Sequence, residues 1–315
     1  MPTTNFSRGG TQTETFQELH CSPSLVGGLQ QEFKISLLII YILLSITAFL
    51  GNFLILVALH KESSLHPPSK LFYCCLATTD LLIGVVAQPL QGVYWISLGH
   101  EQWNLCRYAF DSAFITAHAL DGVALMTMTA ISVDRLLALL LGLRYRQIVT
   151  LKRTYIIVTT FWIASSVIAL CYTSDYRIIS WYGHIIIPSC LVISVASYVK
   201  IFRGLSHHHA QVQDHVQQQP SQRNALNMAR YKKALYSALW VQLALVVCAA
   251  PFFIVTIVIT NSKTYSLQLI EIWDVAVVLV HFNSTLNPFL YCWKIIEVRQ
   301  AVKQTIRRTL CRPGS

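Results

Sequence analysis

Seven long apolar stretches, separated by short polar connections, dominate the pattern of hydrophobic and polar positions along the chain. Each stretch reaches the roughly 20 apolar residues that a helix needs to cross the hydrocarbon core of a bilayer. The pattern therefore predicts seven membrane-spanning helices, called spans one to seven here. Their predicted bounds are Ile35–Leu59, Leu71–Ile96, Tyr108–Leu141, Tyr155–Tyr172, Trp181–Ile201, Ala234–Ile259 and Leu267–Trp293.

The polar segments divide the chain into a tail (1–34), a seven-span domain (35–293) and a second tail (294–315). The longest connection, 202–230, is expected to form a loop between spans five and six. The first tail has no apolar signal-peptide core, so span one is expected to direct insertion. Residues 294–302 combine basic and apolar positions, which predicts a short amphipathic helix on the membrane surface. The predicted fold class is an all-α membrane protein, a seven-transmembrane helix bundle without internal repeats.

Composition and charge support this assignment. Of 315 residues, 54% are hydrophobic and only 12% are charged, and the mean hydropathy is +0.50, too apolar for an ordinary soluble domain. Most basic residues outside the spans fall on one side, which the positive-inside rule assigns to the cytoplasm together with the C-terminus. The net charge of +10 is then an orientation feature rather than a sign of nucleic-acid binding. The opposite side carries only Arg8, Lys34, Arg107, Arg177 and Lys263.

Two features are expected on the outer side. Asn5 begins an N-glycosylation sequon in the first tail. Cys106 lies at the outer mouth of span three, where an oxidising compartment allows a disulfide to persist. Its candidate partners are Cys171 at the end of span four and Cys21 in the tail, and we favour Cys171.

Two features are expected on the inner side. Cys311 in the basic second tail meets the physical requirement for palmitoylation, although an unmodified thiol is the alternative. The tract His207–His209 in the predicted third inner loop resembles a metal-binding sequence. Such a segment is more often a disordered loop.

Pro288 lies deep within span seven, next to the amide of Asn287. Proline removes a backbone donor and clashes with the preceding turn, so a distorted helix is expected there. Polar side chains at bilayer depth are costly and usually face the bundle interior. A kinked, polar-lined last span is typical of a moving part.

Each of the seven spans contains residues of one set of motifs, in a fixed order along the chain. These residues are Gly51, Asn52, residues 76–80 ending at Asp80, Cys106, Asp134, Arg135, Trp162, Pro188, Pro251, and the segment Asn287, Pro288, Phe289, Leu290 and Tyr291. Together they resemble the motifs of the rhodopsin-like (class A) G protein-coupled receptors, and the resemblance covers all seven spans. Residues 281–300 are most similar to adenosine receptors, whereas the short connection after span four resembles melanocortin receptors.

The resemblance implies a switch at the cytoplasmic end. Asp134 is expected to pair with Arg135 in the resting state, and Arg135 to contact a heterotrimeric G protein after activation, together with Leu143 in the second inner loop. The alternative is an ordinary surface salt bridge between Asp134 and Arg135, which contributes little to stability. The chain also departs from the family: Leu136 replaces an aromatic residue after Arg135, and no acidic residue begins span six.

Further departures concern the trigger. Ala249 stands where the family usually has a tryptophan, beside the kink-forming Pro251. Ala196 replaces the usual tyrosine of span five, with Tyr198 two residues further on. The activation linkage is therefore expected to differ from the family in detail.

An allosteric sodium ion is implied at Asp80, Asn283, Ser284 and Asn287, whereas Ala124 replaces the usual hydroxyl residue of span three. Asp121 lies one helical turn nearer the outside. Three hypotheses remain open for Asp121. It completes a displaced ion site, it pairs with a cationic group of the ligand, or it is a protonated acid that is hydrogen-bonded to its neighbours.

The resemblance places a ligand pocket between the outer halves of spans three, five, six and seven. Amine receptors carry an aspartate one turn above Asp121, and this chain has Ala117 there, which disfavours the usual amine site. Adenosine receptors carry an asparagine where this chain has Thr256, which weakens the case for a nucleoside ligand. His281 stands at the position of the retinal-binding lysine of opsins. The aromatic candidates are explained equally well by packing between helices. The candidate ligand residues are His118, Asp121, Phe252, Phe253, Trp273 and His281, with Tyr182 as a further apolar wall.

The leading hypothesis is a receptor that binds an extracellular small molecule or peptide and activates a heterotrimeric G protein. An atypical receptor with ligand-independent or scaffolding activity is the alternative, because the span-six trigger is altered. A transporter is disfavoured, since seven spans do not divide into two repeats. No nucleophile–base pair or catalytic metal set stands out, so neither an enzyme nor a cofactor other than sodium is expected.

Overall fold

The computed structural model describes residues 20–23, 28–61, 65–173, 176–215, 243–261, 266–294, 299–300 and 302–303. Within these ranges it describes side chains except at 143, 176–177, 179–180, 205–215, 291 and 293–294. The predicted sites at Asn5 and Cys311, and most of the predicted amphipathic helix 294–302, lie outside the described residues.

Helices make up the described chain, and its described residues contain no strand. Seven helical segments among them are long and apolar enough to cross a membrane, as the hydropathy pattern predicted. The helices are α1 Gln31–Lys61, α2 Pro67–Leu82, α3 Gln88–Gly99, α4 Trp103–Leu141, α5 Tyr145–Ile148, α6 Leu151–Leu170, α7 Tyr176–His215, α8 Leu243–Asn261 and α9 Leu267–Lys294. Span one is α1, and span two is α2 together with α3. Span three is α4, span four is α6, span five is α7, span six is α8 and span seven is α9.

Span one shows why the bundle belongs in lipid. Leu43 and Leu50 expose 57% and 58% of their surface on one helix face. Tyr41 and Ala48, on the other face, are buried against the bundle. An apolar surface this well exposed is stable beside acyl chains and costly in water.

Span two is interrupted by a π-helical turn at Ile83–Ala87, just before Pro89. Proline cannot donate to the helix ladder, and a wider turn is a common way to accommodate the loss. Span one packs closely there, because the hydroxyl of Ser45 donates to the carbonyl of Gly84 at 2.6 Å. A Cβ at Gly84 would lie 3.0 Å from the backbone nitrogen of Phe49.

The interior proline of span seven meets span one at another close approach. A Cβ at Gly51 would lie 2.9 Å from Cγ of Pro288. The neighbouring Asn52 donates from Nδ2 to the carbonyl of Ser284 at 3.1 Å. Gly51 and Asn52 therefore fix span seven at its proline.

Two sequence-based predictions are wrong at the ends of spans. The helix of span five does not end near residue 202 but continues to His215, through the tract predicted as a loop. Hydropathy marks where the apolar layer ends, and a helix can continue beyond it.

The second correction concerns the disulfide. Cys106 is bonded to Cys21, and Cys171 is a free thiol. Cys171 begins the 3-10 turn Cys171–Thr173, and the next side chain, Tyr172, occupies the interior by donating to Asp111 at 2.9 Å. The tail cysteine therefore takes the place beside span three.

Candidate functional site

The end of the bundle near Cys106 is called the outer end here, and the end near Arg135 the inner end, following the predicted orientation. A cavity of about 140 Å³ lies towards the outer end. Spans three to seven all contribute to its lining, which is mostly apolar. Small side chains at Ala117, Ala124 and Ala249 border it. Among its lining residues are all six predicted ligand residues: His118, Asp121, Phe252, Phe253, Trp273 and His281.

Aromatic rings form one wall of this cavity. The His118 ring stacks on Phe114 with centroids 3.9 Å apart, and its Nδ1 lies 2.9 Å from the Phe114 carbonyl. Phe252 lies 6.3 Å from His118 and 6.3 Å from Trp273. This ring series fixes the orientation of His118.

His20 and Cys21 of the first tail cover the outer side of this wall, and the contacts of His20 were not expected from the sequence. The ring of His20 lies 4.6 Å from that of Phe110 and 4.7 Å from that of Trp273. The hydroxyl of Tyr94 donates to the His20 carbonyl at 3.3 Å, and the adjacent Cys21 is bonded to Cys106. His20 and Cys21 are thus part of the buried core at this end of the bundle.

Polar groups concentrate at the deeper end of the cavity. Asp121 borders it, and no hydrogen-bond donor or cation contacts its carboxylate among the described residues. His281 is buried with its ring 5.6 Å from that of Tyr41. Asn283 and Ser284 also border the cavity, which connects it to the predicted sodium residues.

The predicted sodium residues lie together below the cavity. Asp80 and Asn287 are completely buried, and Nδ2 of Asn287 donates to Oδ2 of Asp80 at 2.8 Å. Three buried oxygens have no donor among the described residues: Oδ1 of Asp80, of Asn283 and of Asn287. Carboxylate and amide oxygens without donors match the ligand preference of a hard cation.

The inner end contains the expected Asp134–Arg135 ion pair, although the two side chains are at long range. The nearest approach is 3.9 Å, from Nη2 of Arg135 to Oδ2 of Asp134. Asp134 instead accepts hydrogen bonds from Tyr145 at 2.6 Å and from Ser69 at 2.9 Å. Arg135 lies over the ring of Tyr73, 5.7 Å from its centroid, and donates to its hydroxyl at 3.4 Å.

Tyr145 is the residue at this end that the sequence reasoning missed. It belongs to α5, between spans three and four. It lies eleven residues after Asp134, and no local sequence pattern indicates a contact over that separation. Burial, followed by the hydrogen bond to Asp134, raises the pKa of the Tyr145 phenol to about 12. The phenol is therefore protonated at physiological pH and remains a donor to the carboxylate.

The other predicted switch residues are placed as follows. Pro251 lies within α8, and Ala249, two residues before it, lines the cavity. Tyr198 faces the interior and accepts a hydrogen bond from Ser132 at 3.3 Å. Leu143 and Tyr291 have a described backbone, but their side chains lie outside the description.

Comparison with known proteins agrees with this architecture. The family model described as "7 transmembrane receptor (rhodopsin family)" matches residues 51–174 and 171–291. Melanocortin receptor 5 of Rattus norvegicus is 24% identical over 280 residues, covering 85% of this chain and 83% of the receptor.

Two further relatives cover the bundle to a similar extent. Melanocortin receptor 4 of Danio rerio is 25% identical over 276 residues, covering 84% of this chain and 82% of the receptor. Adenosine receptor A2b of Gallus gallus is 22% identical over 324 residues, covering 89% of this chain and 90% of the receptor. These relatives are receptors and not enzymes, in agreement with the sequence-based expectation. The chain is a multi-pass membrane protein that belongs to the rhodopsin family of seven-transmembrane receptors, the class A G protein-coupled receptors.

Proposed function

We propose that this receptor binds an extracellular ligand in the outer cavity and activates a heterotrimeric G protein at its inner end. The observation that carries the proposal is the continuity between the two: the cavity extends from Trp273 down to Ser284. One turn further along span seven, Asn287 donates to Asp80 at 2.8 Å. A ligand that fits the cavity better in one conformation shifts the population of the whole bundle towards that conformation. Membership of the receptor family supports the same coupling.

We also propose that the receptor lies in the cell membrane with its N-terminus outside and its C-terminus in the cytoplasm. The distribution of basic residues supports this orientation. The Cys21–Cys106 disulfide supports it independently, because a persistent disulfide favours an oxidising compartment at the outer end. With this orientation, Asn5 is accessible for glycosylation and Cys311 for palmitoylation.

The ligand class follows from the contrast between the cavity wall and its deeper end. The wall is apolar and aromatic, whereas Asp121 borders it as a carboxylate without a hydrogen-bond donor or cation among the described residues. An unpaired carboxylate in an apolar site is costly, and a cation that contacts it recovers much of that cost. We therefore favour a small molecule, or a peptide side chain, with an apolar body and a cationic group directed at Asp121.

A sodium ion fits the polar cluster beneath this pocket. The described oxygens of Asp80, Asn283 and Asn287 that lack donors, together with the hydroxyl of Ser284, are the groups that would hold it. The ion would supply a positive charge beside the buried carboxylate. Asp80 and Asn287 themselves keep spans two and seven in contact through their hydrogen bond.

At the inner end, Arg135 is the proposed contact to the G protein, with Leu143 and Tyr291 as further switch residues. Arg135 is 29% exposed and is not held in a close ion pair. The ring of Tyr73 supports it from one side. A partly exposed arginine at this end is available for contact with a partner protein.

A second function, signalling without a ligand, is favoured by a specific observation. The 3.9 Å separation between Arg135 and Asp134 leaves a weak restraint on the resting state. The replacement at Ala249 removes the usual large side chain from the trigger. Basal activity is therefore an expected property of this receptor.

A G protein dissociation assay across all G protein families tests the proposal. Cells expressing the receptor are challenged with amine, nucleoside, peptide and lipid libraries, with Arg135→Ala as the signalling control. Asp121→Asn should weaken cationic agonists at least tenfold and leave neutral agonists unchanged. A receptor at the cell surface that gives neither a basal nor an agonist response with any G protein would refute the assigned activity.

A further inference from the structure

A second cavity, of about 470 Å³, lies towards the inner end of the bundle. It forms a groove mainly between spans three, four and five, with Phe72 of span two and the end of the short helix α5 also in its lining. Arg153 and Val149 border it at the end of the bundle that also carries Arg135. Its walls are carbon-rich and include Val133, Leu137, Ile148, Ile157, Phe161 and Ile193.

This groove faces the lipid rather than the bundle interior. Ile157 and Ile193 expose 41% and 46% of their surface, although both line the groove. Met126 and Cys190 lie on the bundle side. A hydrocarbon chain can therefore enter from the bilayer and exchange neighbouring lipid contacts for the walls of three helices.

The mouth of the groove is positively charged. Nη1 of Arg153 donates to the carbonyl of Ile148 at 2.8 Å, which holds the guanidinium beside the end of α5. Lys152 and Arg146 are exposed nearby, and the sequence from 144 to 153 has no acidic residue.

The start of α6 adds backbone donors to this mouth. The first N–H groups of any helix have no acceptor within the helix. In α6 the side chain of the preceding residue, Thr150, does not cap them. Free amides, the positive end of a helix dipole and a guanidinium together suit a phosphate. The charge of the mouth and the apolar groove are complementary to the two ends of an anionic phospholipid.

We propose that this groove binds an acyl chain of an anionic membrane phospholipid, whose phosphate contacts Arg153 and the start of α6. Basic pockets between membrane helices near the cytoplasmic surface suit such head groups, and the cytoplasmic leaflet is rich in them. The choice of leaflet rests on the orientation proposed above.

The lipid site adjoins the switch. Asp134 borders the groove from the inside, and its hydrogen-bond donor Tyr145 begins the helix that ends at Ile148. A lipid that packs against Ile148 and binds Arg153 therefore stabilises α5 in the position that holds Asp134. Anionic lipid acts on the inner end through this contact, separately from any ligand in the outer cavity.

Purified receptor in nanodiscs with phosphatidylserine carrying a photoreactive acyl chain tests the site. Crosslinks should map to peptides that contain Ile157 or Ile193 in the unmodified receptor. Ile157→Trp fills the groove, and Ile156→Trp is its matched control, because Ile156 is exposed on the same helix but does not line the groove. Ile157→Trp should reduce these crosslinks at least fivefold, and Ile156→Trp should not.

The head group has its own pair of variants. Arg153→Gln should lower phosphatidylserine retention, measured by native mass spectrometry, about fivefold, while Lys61→Gln leaves it unchanged. If Ile157→Trp does not fold, the Arg153 pair alone decides the outcome. Equal retention in both members of a folded pair, or equal retention of phosphatidylcholine and phosphatidylserine, overturns the proposal. Lipid retention without any G protein response would refute the assigned receptor activity and leave this site standing.

Discussion

The outer and inner halves of this receptor are stabilised in different ways. The outer half is closed by aromatic packing and by a covalent bond from the tail, since His20 lies against Trp273 and Cys21 is bonded to Cys106. The inner half depends on hydrogen bonds to buried carboxylates, at Asp80 and Asp134. Apolar packing tolerates variation in shape, whereas a buried carboxylate restricts its partners. Substitutions should therefore be tolerated better in the outer aromatic packing than beside the buried carboxylates of the inner half.

The largest expected effect comes from breaking the outer half covalently. Cys21→Ser or Cys106→Ser should lower the stability of the folded receptor by about 2–5 kcal/mol, because the bond closes a long loop. Thermal denaturation and surface expression measure the loss. Cys171→Ser is the matched control and should change neither, since Cys171 is a free thiol. Loss of stability in Cys171→Ser instead would mean that the pairing is wrong.

A crowded contact between spans one and seven gives the next effect. Gly51→Ala should lower stability by about 1–3 kcal/mol, because the new Cβ meets the rigid ring of Pro288 at 2.9 Å. Gly92→Ala is the comparison, since its Cβ would meet only Leu38 at 3.6 Å, an ordinary contact. Equal melting temperatures for both variants would remove the assigned role of Gly51.

The hydrogen bond from Tyr145 to Asp134 gives the next effect, in the inner half. Tyr145→Phe should cost up to about 1.5–3 kcal/mol of local stability, since the phenol donates to a charged group. Asp134 is then freer to attract Arg135, so basal nucleotide exchange should fall severalfold. Tyr155→Phe, at an exposed position in span four, should leave exchange unchanged. A rise in basal exchange in Tyr145→Phe would reverse the assigned role.

The smallest expected effect concerns the ion. Replacing potassium with sodium should lower basal exchange by a few fold in the unmodified receptor, because the ion stabilises the contact between spans two and seven. Asp80→Asn should abolish this difference, as the carboxylate is the charged ligand of the proposed site. A sodium effect that persists in Asp80→Asn would place the ion elsewhere.

The sequence could predict the parts of the molecule that depend on local pattern. Hydropathy identified all seven spans, and the motif around Asn287 led to the partner that it contacts, Asp80. The six ligand candidates were named from the family resemblance. They line one cavity because helical spacing places them on helix faces that point inwards.

The missed features depend on contacts between distant positions. Cys21 and Cys106 are 85 positions apart, and no local pattern distinguishes Cys21 from Cys171 as the partner. Tyr145 contacts Asp134 only because the chain turns back after span three. The continuation of span five to His215 was missed because its polar composition marks the membrane boundary rather than the end of the helix.

The central claim is that the inner end catalyses nucleotide exchange through Arg135. The most direct measurement is GTPγS binding to purified G proteins of each family, with the receptor in nanodiscs and Arg135→Ala prepared in parallel. Exchange faster than with the G protein alone, and lost in a folded Arg135→Ala receptor, is the predicted result. Equal exchange with and without the receptor for every G protein, in the presence and absence of a bound ligand, would contradict the account.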